Sequence, residues 1–178
     1  MADFVTVDRW NRFSVDQVLT PTVFSDISPP ELQSHANELF PSGVSRHGEE
    51  YFLRSSSRAN VASPVIELLM EYVRRASFPE RPSRFTSWFG VDSVEEARQF
   101  RSRFCGGEGR LCRVSTDNFF RANMSLLTVG QSTLVSSWFA HVYWRGEAGP
   151  RAPFWEYLLS APVRVLEVIP ESADERGA

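Results

Sequence analysis

The stretch PFWEYLLSAPVRVLEVI, Pro153 to Ile169, decides how the rest of the chain is read. Its second half is apolar and β-branched. Val163 and Val165, then Leu166 and Val168, alternate with other residues, and the run reads as the last strand. Its first half sets Glu156 between Trp155 and Tyr157, just ahead of that strand. A carboxylate among aromatics must be solvated, paired or put to use. Glu156 is therefore either an ordinary loop glutamate or a functional carboxylate.

Upstream of it, GEAGPRAP reads as loop, and TLVSSWFAHVYWRG (Thr133–Gly146) is aromatic and β-rich, which predicts a long strand. DNFFRANMSLL predicts a short helix capped by Asp117, and GRLCRVST predicts a strand. SVEEARQFRSRF opens with Ser93 three residues before Glu96, a capping box, and predicts a helix that ends before Gly106–Gly107. RFTSWFG (Arg84–Gly90) predicts a strand.

SPVIELLMEYVRRASF begins with Ser63–Pro64, a helix-start signature, and places Val65, Leu68, Leu69, Tyr72 and Val73 on one face. PSGVSRHGEEYFLRSSS is turn-rich and predicts a loop. SPPELQSHANELF predicts a helix over Pro30–Phe40 with Ser28 as its cap, and LTPTVFSDISPP reads as extended loop. DFVTVDRW (Asp3–Trp10) alternates apolar and polar residues and predicts the opening strand.

The sum is α+β, with a helical N-terminal portion followed mostly by strands. The order does not alternate strand and helix as a dinucleotide fold requires, and neither GxGxxG nor GxxxxGK[ST] occurs. A length of 178 residues fits one domain over residues 1–170, with a frayed tail at 171–178. The composition, 42% hydrophobic and 23% charged, is that of a folded chain. A net charge of −3 argues against a dedicated duplex-DNA binder and leaves room for a local basic groove.

All 19 basic residues are arginine, which reflects either coding bias or a use for forked contacts to phosphate and carboxylate. Cys105 and Cys112 fit no zinc spacing. They read as reduced thiols of a cytoplasmic protein, with a disulfide across GGEGRL as the alternative. The opening MADFVTVDRW, charged and short on apolar residues, does not read as a signal peptide, and no apolar run approaches the ~20 residues a membrane span needs.

These features in order resemble the ADP-ribosyltransferase fold. The carriers are a first strand with Arg9, a serine-containing stretch RFTSWFG followed by a short helix, and Glu156 ahead of a Leu-Leu pair, a proline turn and an apolar strand. The resemblance implies split mixed or antiparallel sheets and a site that cleaves NAD between ribose and nicotinamide. It implies Glu156 as the catalytic carboxylate, stabilising an oxocarbenium-like state and orienting the acceptor. Arg9 would hold phosphate or the adenosine ribose, although Thr6 competes with it for the first-strand position. Ser87 would fix the carboxylate, with Ser83 and Arg84 as competitors. Tyr143, Trp144 and Trp155 are candidates to stack on nicotinamide, or else pack in the core.

The implied protein is an NAD-dependent mono-ADP-ribosyltransferase, a toxin or phage-defence effector. It takes NAD as substrate and uses no metal. Its acceptor is a protein or a nucleic acid, its partner a cognate antitoxin, and no membrane is involved. The rivals are a non-catalytic nucleotide- or partner-binding module and an NAD glycohydrolase.

Two polar clusters stand outside that scheme. SRHGEEYF offers His47, Glu49 and Glu50, an acid/base pair or too few ligands for a metal, and reads as a surface loop, a loop over the NAD cleft or an acceptor-recognition loop. Arg54, Arg58, Arg74, Arg75, Arg81 and Arg84 form a loose basic stretch, either a solvated face or a phosphate contact of NAD or a nucleic-acid acceptor. A serine triad has no support, since no GxSxG elbow occurs.

Overall fold

Strand β1 (Ala2–Asp8) opens the chain where alternation predicts it, and it pairs antiparallel with β4 (Arg110–Thr116) from Ala2↔Thr116 to Asp8↔Arg110. A computed structural model provides these coordinates and describes residues 1–54, 62–129 and 132–171. Arg58, most of the expected tail and the side chain of Ser63 lie outside the described residues. Two antiparallel sheets form the frame. One has the order β1-β4-β7-β2, with β2 (Val18–Leu19) and β7 (Val163–Ile169), and the other β3-β6-β5, with β3 (Trp88–Gly90), β5 (Phe119–Asn123) and β6 (Trp155–Leu159).

The sheets meet where Val5 of β1 bridges Val91, just past β3. Phe4, Trp88, Cys112, Val114, Leu159 and Val165 fill the shared core there. Burial of such side chains, at roughly 25 cal/mol per Å² of apolar surface, holds the two sheets together.

The α+β class stands, and helices do occupy the N-terminal part. They are α1 (Pro30–Leu39), the short α2 (Arg46–Gly48) running into a π-helical turn (Glu49–Leu53), and α3 (Ala62–Ser77). Pro29, not Ser28, caps α1, and no side chain bonds its first turn. Of the stretch expected as a loop at Pro41–Ser57, Ser55–Ser57 lie outside the described residues, and the rest holds α2 and the π-helical turn, anchored by Ser45. Its Oγ accepts from the Gly48 N–H and donates to the Phe85 carbonyl.

Helix α4 (Val94–Phe104) begins as the capping box predicts, with Ser93 accepting from the Glu96 N–H. The segment Arg84–Gly90 is strand only in its second half. Its first half is a 3₁₀ turn, Arg84–Thr86.

Three further readings are corrected. Thr133–Gly146 is not a strand: α5 (Thr133–Arg145) is a helix, capped by Ser132 at its start and by Gly146 in the left-handed region at its end. Its β-branched and aromatic residues reflect burial on several sides, since Phe139, Ala140, Val142, Tyr143 and Trp144 all lie in the core. The expected helix at Asp117 is strand β5 followed by a 3₁₀ turn (Met124–Leu126).

The third correction concerns α3, whose inward face is not the one its larger hydrophobics suggested. Val65 is 64% and Tyr72 55% exposed, whereas Glu67, Met70 and Glu71 are buried. Ile66, Met70 and Val73 give that face its apolar contacts, and the two glutamates lie among them. No helix among the described residues is long and apolar enough to cross a membrane.

Candidate functional site

Glu156 sits inside β6, paired with Ala122, rather than in a loop. Period-two alternation turns it to the opposite face from Trp155 and Tyr157 and buries it. It is not solvated; it is paired. Its Oε1 accepts from Arg84 Nη1 at 2.5 Å and from the Tyr143 hydroxyl at 2.8 Å. Arg84 Nη1 also meets the Tyr143 oxygen.

The other edge of the guanidinium is gripped by Glu67 of α3. Arg84 Nε donates to Oε2 at 2.7 Å and Nη2 to Oε1 at 2.9 Å. His47 Nε2 lies 3.2 Å from the same Glu67 oxygen, with its ring stacked on Tyr51 at 4.4 Å.

These groups titrate as their neighbours dictate. Burial works against the charged form of Glu67, but Arg84 and His47 overcome it and hold its carboxyl far below the usual carboxylate range. Burial likewise opposes charge on Arg84, and Glu156 and Glu67 more than offset it, so the guanidinium is more firmly protonated than usual. Burial pushes the Tyr143 phenol well up, which keeps it neutral. Two carboxylates thus face one guanidinium in the trio Glu67–Arg84–Glu156.

The trio forms part of the wall of a cleft of about 620 Å³. A ligand pocket typically spans ~300–1,000 Å³. Thr6 and Arg9 from the β1 side, Arg84 and Ser87 from the turn into β3, and Glu156 from β6 all line it. Arg9 follows β1 and lies over the Phe100 ring at 5.4 Å; it pairs with neither Asp8 nor Asp16. Asp8 instead receives Arg110 at 3.2 Å and the Phe13 N–H at 2.7 Å.

Several candidates do not play the part the sequence suggests. Ser87 does not hold the carboxylate, because its Oγ donates to the Ser83 carbonyl at 2.7 Å. Ser83 donates instead to Glu71 at 2.7 Å, in a second buried cluster with Arg74 and Arg75. Trp144 is wholly buried, stacked on Phe120 and donating to the Met70 carbonyl. Trp155 lies on the far face of β6 under Arg121, whose guanidinium is 3.9 Å from its ring centre. Tyr143 is also fully buried and meets the site through its hydroxyl on Glu156 and its ring under Arg84, 5.4 Å from the ring centre.

Sequence reasoning missed Glu67, because a glutamate on the buried face of a helix breaks the amphipathic rule. Arg46, His47 and Tyr51 line the cleft, as one reading of SRHGEEYF has it, but from α2 and the π-helical turn and not from a loop. A π-helical turn is a frequent companion of functional sites. Glu49 takes no part with His47; it pairs with Arg46 and with Arg54. Among the described residues no three His, Cys, Asp or Glu side chains gather as a metal site would require.

A family described as "Protein of unknown function (DUF2441)" matches residues 11–171. No curated protein matches the chain.

Proposed function

We propose that this protein, which belongs to the DUF2441 family, is an NAD-dependent mono-ADP-ribosyltransferase that uses the Glu156 cleft. In this reading it is a cytoplasmic toxin or phage-defence effector, acts on a protein or nucleic acid, and is held by a cognate antitoxin. One observation carries the chemistry. Thr6, Arg9, Arg84, Ser87 and Glu156, from three separate parts of the chain, line a single cleft, with a buried carboxylate at its wall. The two antiparallel sheets joined at Val5 and Val91 support the ADP-ribosyltransferase-like frame that this site requires.

The reaction breaks the bond between ribose C1′ and the nicotinamide nitrogen. Nicotinamide leaves with the electron pair, positive charge develops on the sugar, and the acceptor attacks C1′. Glu156 stabilises that charge and takes the acceptor's proton. Its pairing with Arg84 does not quench it, because Glu67 already neutralises the guanidinium. Both hydrogen bonds to Glu156 land on Oε1, so Oε2 is the oxygen offered to substrate. Arg9 and Arg46 supply cations in the same cleft for the diphosphate.

The second reading is a nucleotide- or partner-binding module. It is favoured by the Glu67–Arg84–Glu156 pairing itself, since structural ion-pair networks also bury carboxylates.

Calorimetric titration of NAD, followed by incubation with labelled NAD and cell lysate, separates the readings. Saturable binding with label transferred to a macromolecule supports the transferase. Binding without label transfer or free ADP-ribose supports the module, and free ADP-ribose without lysate points to a glycohydrolase. The absence of NAD binding removes the NAD reading.

A further inference from the structure

The mouth of the cleft carries side chains to which the chemistry of Glu156 gives no role. Phe100 and Phe104, one turn apart on α4, meet Phe154 ahead of β6, with ring centroids separated by 5.2, 6.4 and 6.1 Å. Arg103 lies over Phe104 at 5.3 Å and over Phe154 at 5.7 Å, and Arg9 lies over Phe100. Arg151, from the loop leading to β6, lies over Phe139 at 5.2 Å. The three phenylalanines and Arg9, Arg103 and Arg151 all line the cleft.

Charge divides the arginines of the cleft. Arg46 pairs with Glu49, and Arg84 with Glu67 and Glu156. Among the described residues Arg9, Arg103 and Arg151 have no carboxylate partner, in a chain whose net charge is −3. An arginine stacked on a ring and free of a carboxylate keeps its donor fork for an external anion, and phosphate matches that fork. Phe104 is 45% exposed, so part of its ring stands open to solvent beside Arg103.

We propose that this mouth is the acceptor subsite and that it binds single-stranded nucleic acid. A base stacks on Phe104, and the flanking phosphates are held by Arg103 and Arg151, beside the Arg9 that holds the diphosphate of NAD. As an acceptor subsite it rests on the transferase reading: a nucleophilic atom of the bound base attacks ribose C1′ of NAD, nicotinamide leaves with the electron pair, and the displaced proton passes to Glu156. A single strand is selected over a duplex because only unstacked bases expose a face to the ring, and because the acidic chain repels a long duplex beyond this patch. An acidic peptide would satisfy the arginines and leave the aromatic faces unused.

The test is fluorescence polarisation of labelled 12-nucleotide single-stranded DNA, single-stranded RNA and a duplex. Wild type is compared with Phe104→Ala and with the double variant Arg103→Gln/Arg151→Gln. Wild type binds one or both single strands more tightly than the duplex, and the preferred strand identifies the acceptor. The double variant lowers the log–log salt slope by about 1.4, or 0.7 per arginine. Phe104→Ala weakens binding about fivefold or more. No binding by wild type, equal binding by the variants, or equal displacement of the oligonucleotides by polyglutamate overturns the proposal.

Nicotinamide release from NAD is followed in the same samples. Release without oligonucleotide binding overturns the subsite and leaves the transferase reading standing. Oligonucleotide binding without release keeps the nucleic-acid site and removes the transferase reading.

Discussion

Glu67 holds both the Nε and the Nη2 of Arg84, and this grip turns the remaining nitrogen, Nη1, onto Glu156. The carboxylate of α3 thus sets the position of the carboxylate of β6 through one guanidinium. Glu67→Gln leaves Arg84 paired with Glu156 and sets a buried amide N–H₂ donor against the guanidinium in place of an acceptor, which costs up to about 3 kcal/mol. The variant is therefore expected to lower unfolding stability by up to about 3 kcal/mol in urea titration. A change below about 0.5 kcal/mol contradicts the role given to this pair.

Acid should weaken the fold through the same groups. The Glu67 and Glu71 carboxyls lie below their ordinary range in the folded protein, held there against burial by Arg84 and His47 for Glu67, and by Arg74, Ser83 and Arg75 for Glu71. The unfolded chain binds protons at these groups first as pH falls. Their contribution is complete above the ordinary carboxylate range and declines below about pH 5. The urea midpoint is expected to hold from pH 7 to about 5 and to fall below it, with a shallower fall in Glu67→Gln/Glu71→Gln. Equal pH profiles for the two proteins contradict this assignment.

Gly48 lies where the cleft wall of α2 touches the turn that carries Arg84. A Cβ there would sit 2.2 Å from the Phe85 carbonyl oxygen and 2.7 Å from Val44 Cβ. The neighbour is backbone, so the turn itself must move. Gly48→Ala is expected to destabilise by about 1–3 kcal/mol, read as a lowered Tm. A variant as stable as wild type means that the two elements are not in this contact.

The thiols are expected to be inert in the native state. Cys105 and Cys112 are free, burial raises both, and Cys112 is pushed up to about 11. A thiol reagent at pH 8 should leave Cys112 unmodified until denaturant is added, and modify half-buried Cys105 slowly. Rapid native modification of Cys112 contradicts its burial.

What could be read in the sequence divides along physical lines. β1, β4, β7, α1 and α4 follow local rules of alternation, proline placement and capping, and the sequence places them within a few residues. α5 was illegible by periodicity because it is buried on several sides, which erases an amphipathic stripe. Its ends were legible in Ser132 and Gly146. β5 hid behind Asp117, which imitates a helix cap, although Phe120 and Ala122 alternate inward as a strand requires.

The site was legible as a set of residue types and not as a network. Thr6, Arg9, Arg84, Ser87 and Glu156 share the cleft. The partners of Glu156 are set by tertiary contacts across 72 and 13 residues, which no local pattern encodes. Trp144 and Trp155, attractive as stacking groups by type, are claimed by the core and by Arg121.

The most direct test of the central claim is nicotinamide release from NAD by purified wild type and Glu156→Gln, each shown to be folded by circular dichroism. Lysate is added as the acceptor source. The account predicts release by wild type and a loss on the order of 10²-fold or more in the variant. Equal release by both proteins, or none by folded wild type with lysate present, would contradict it.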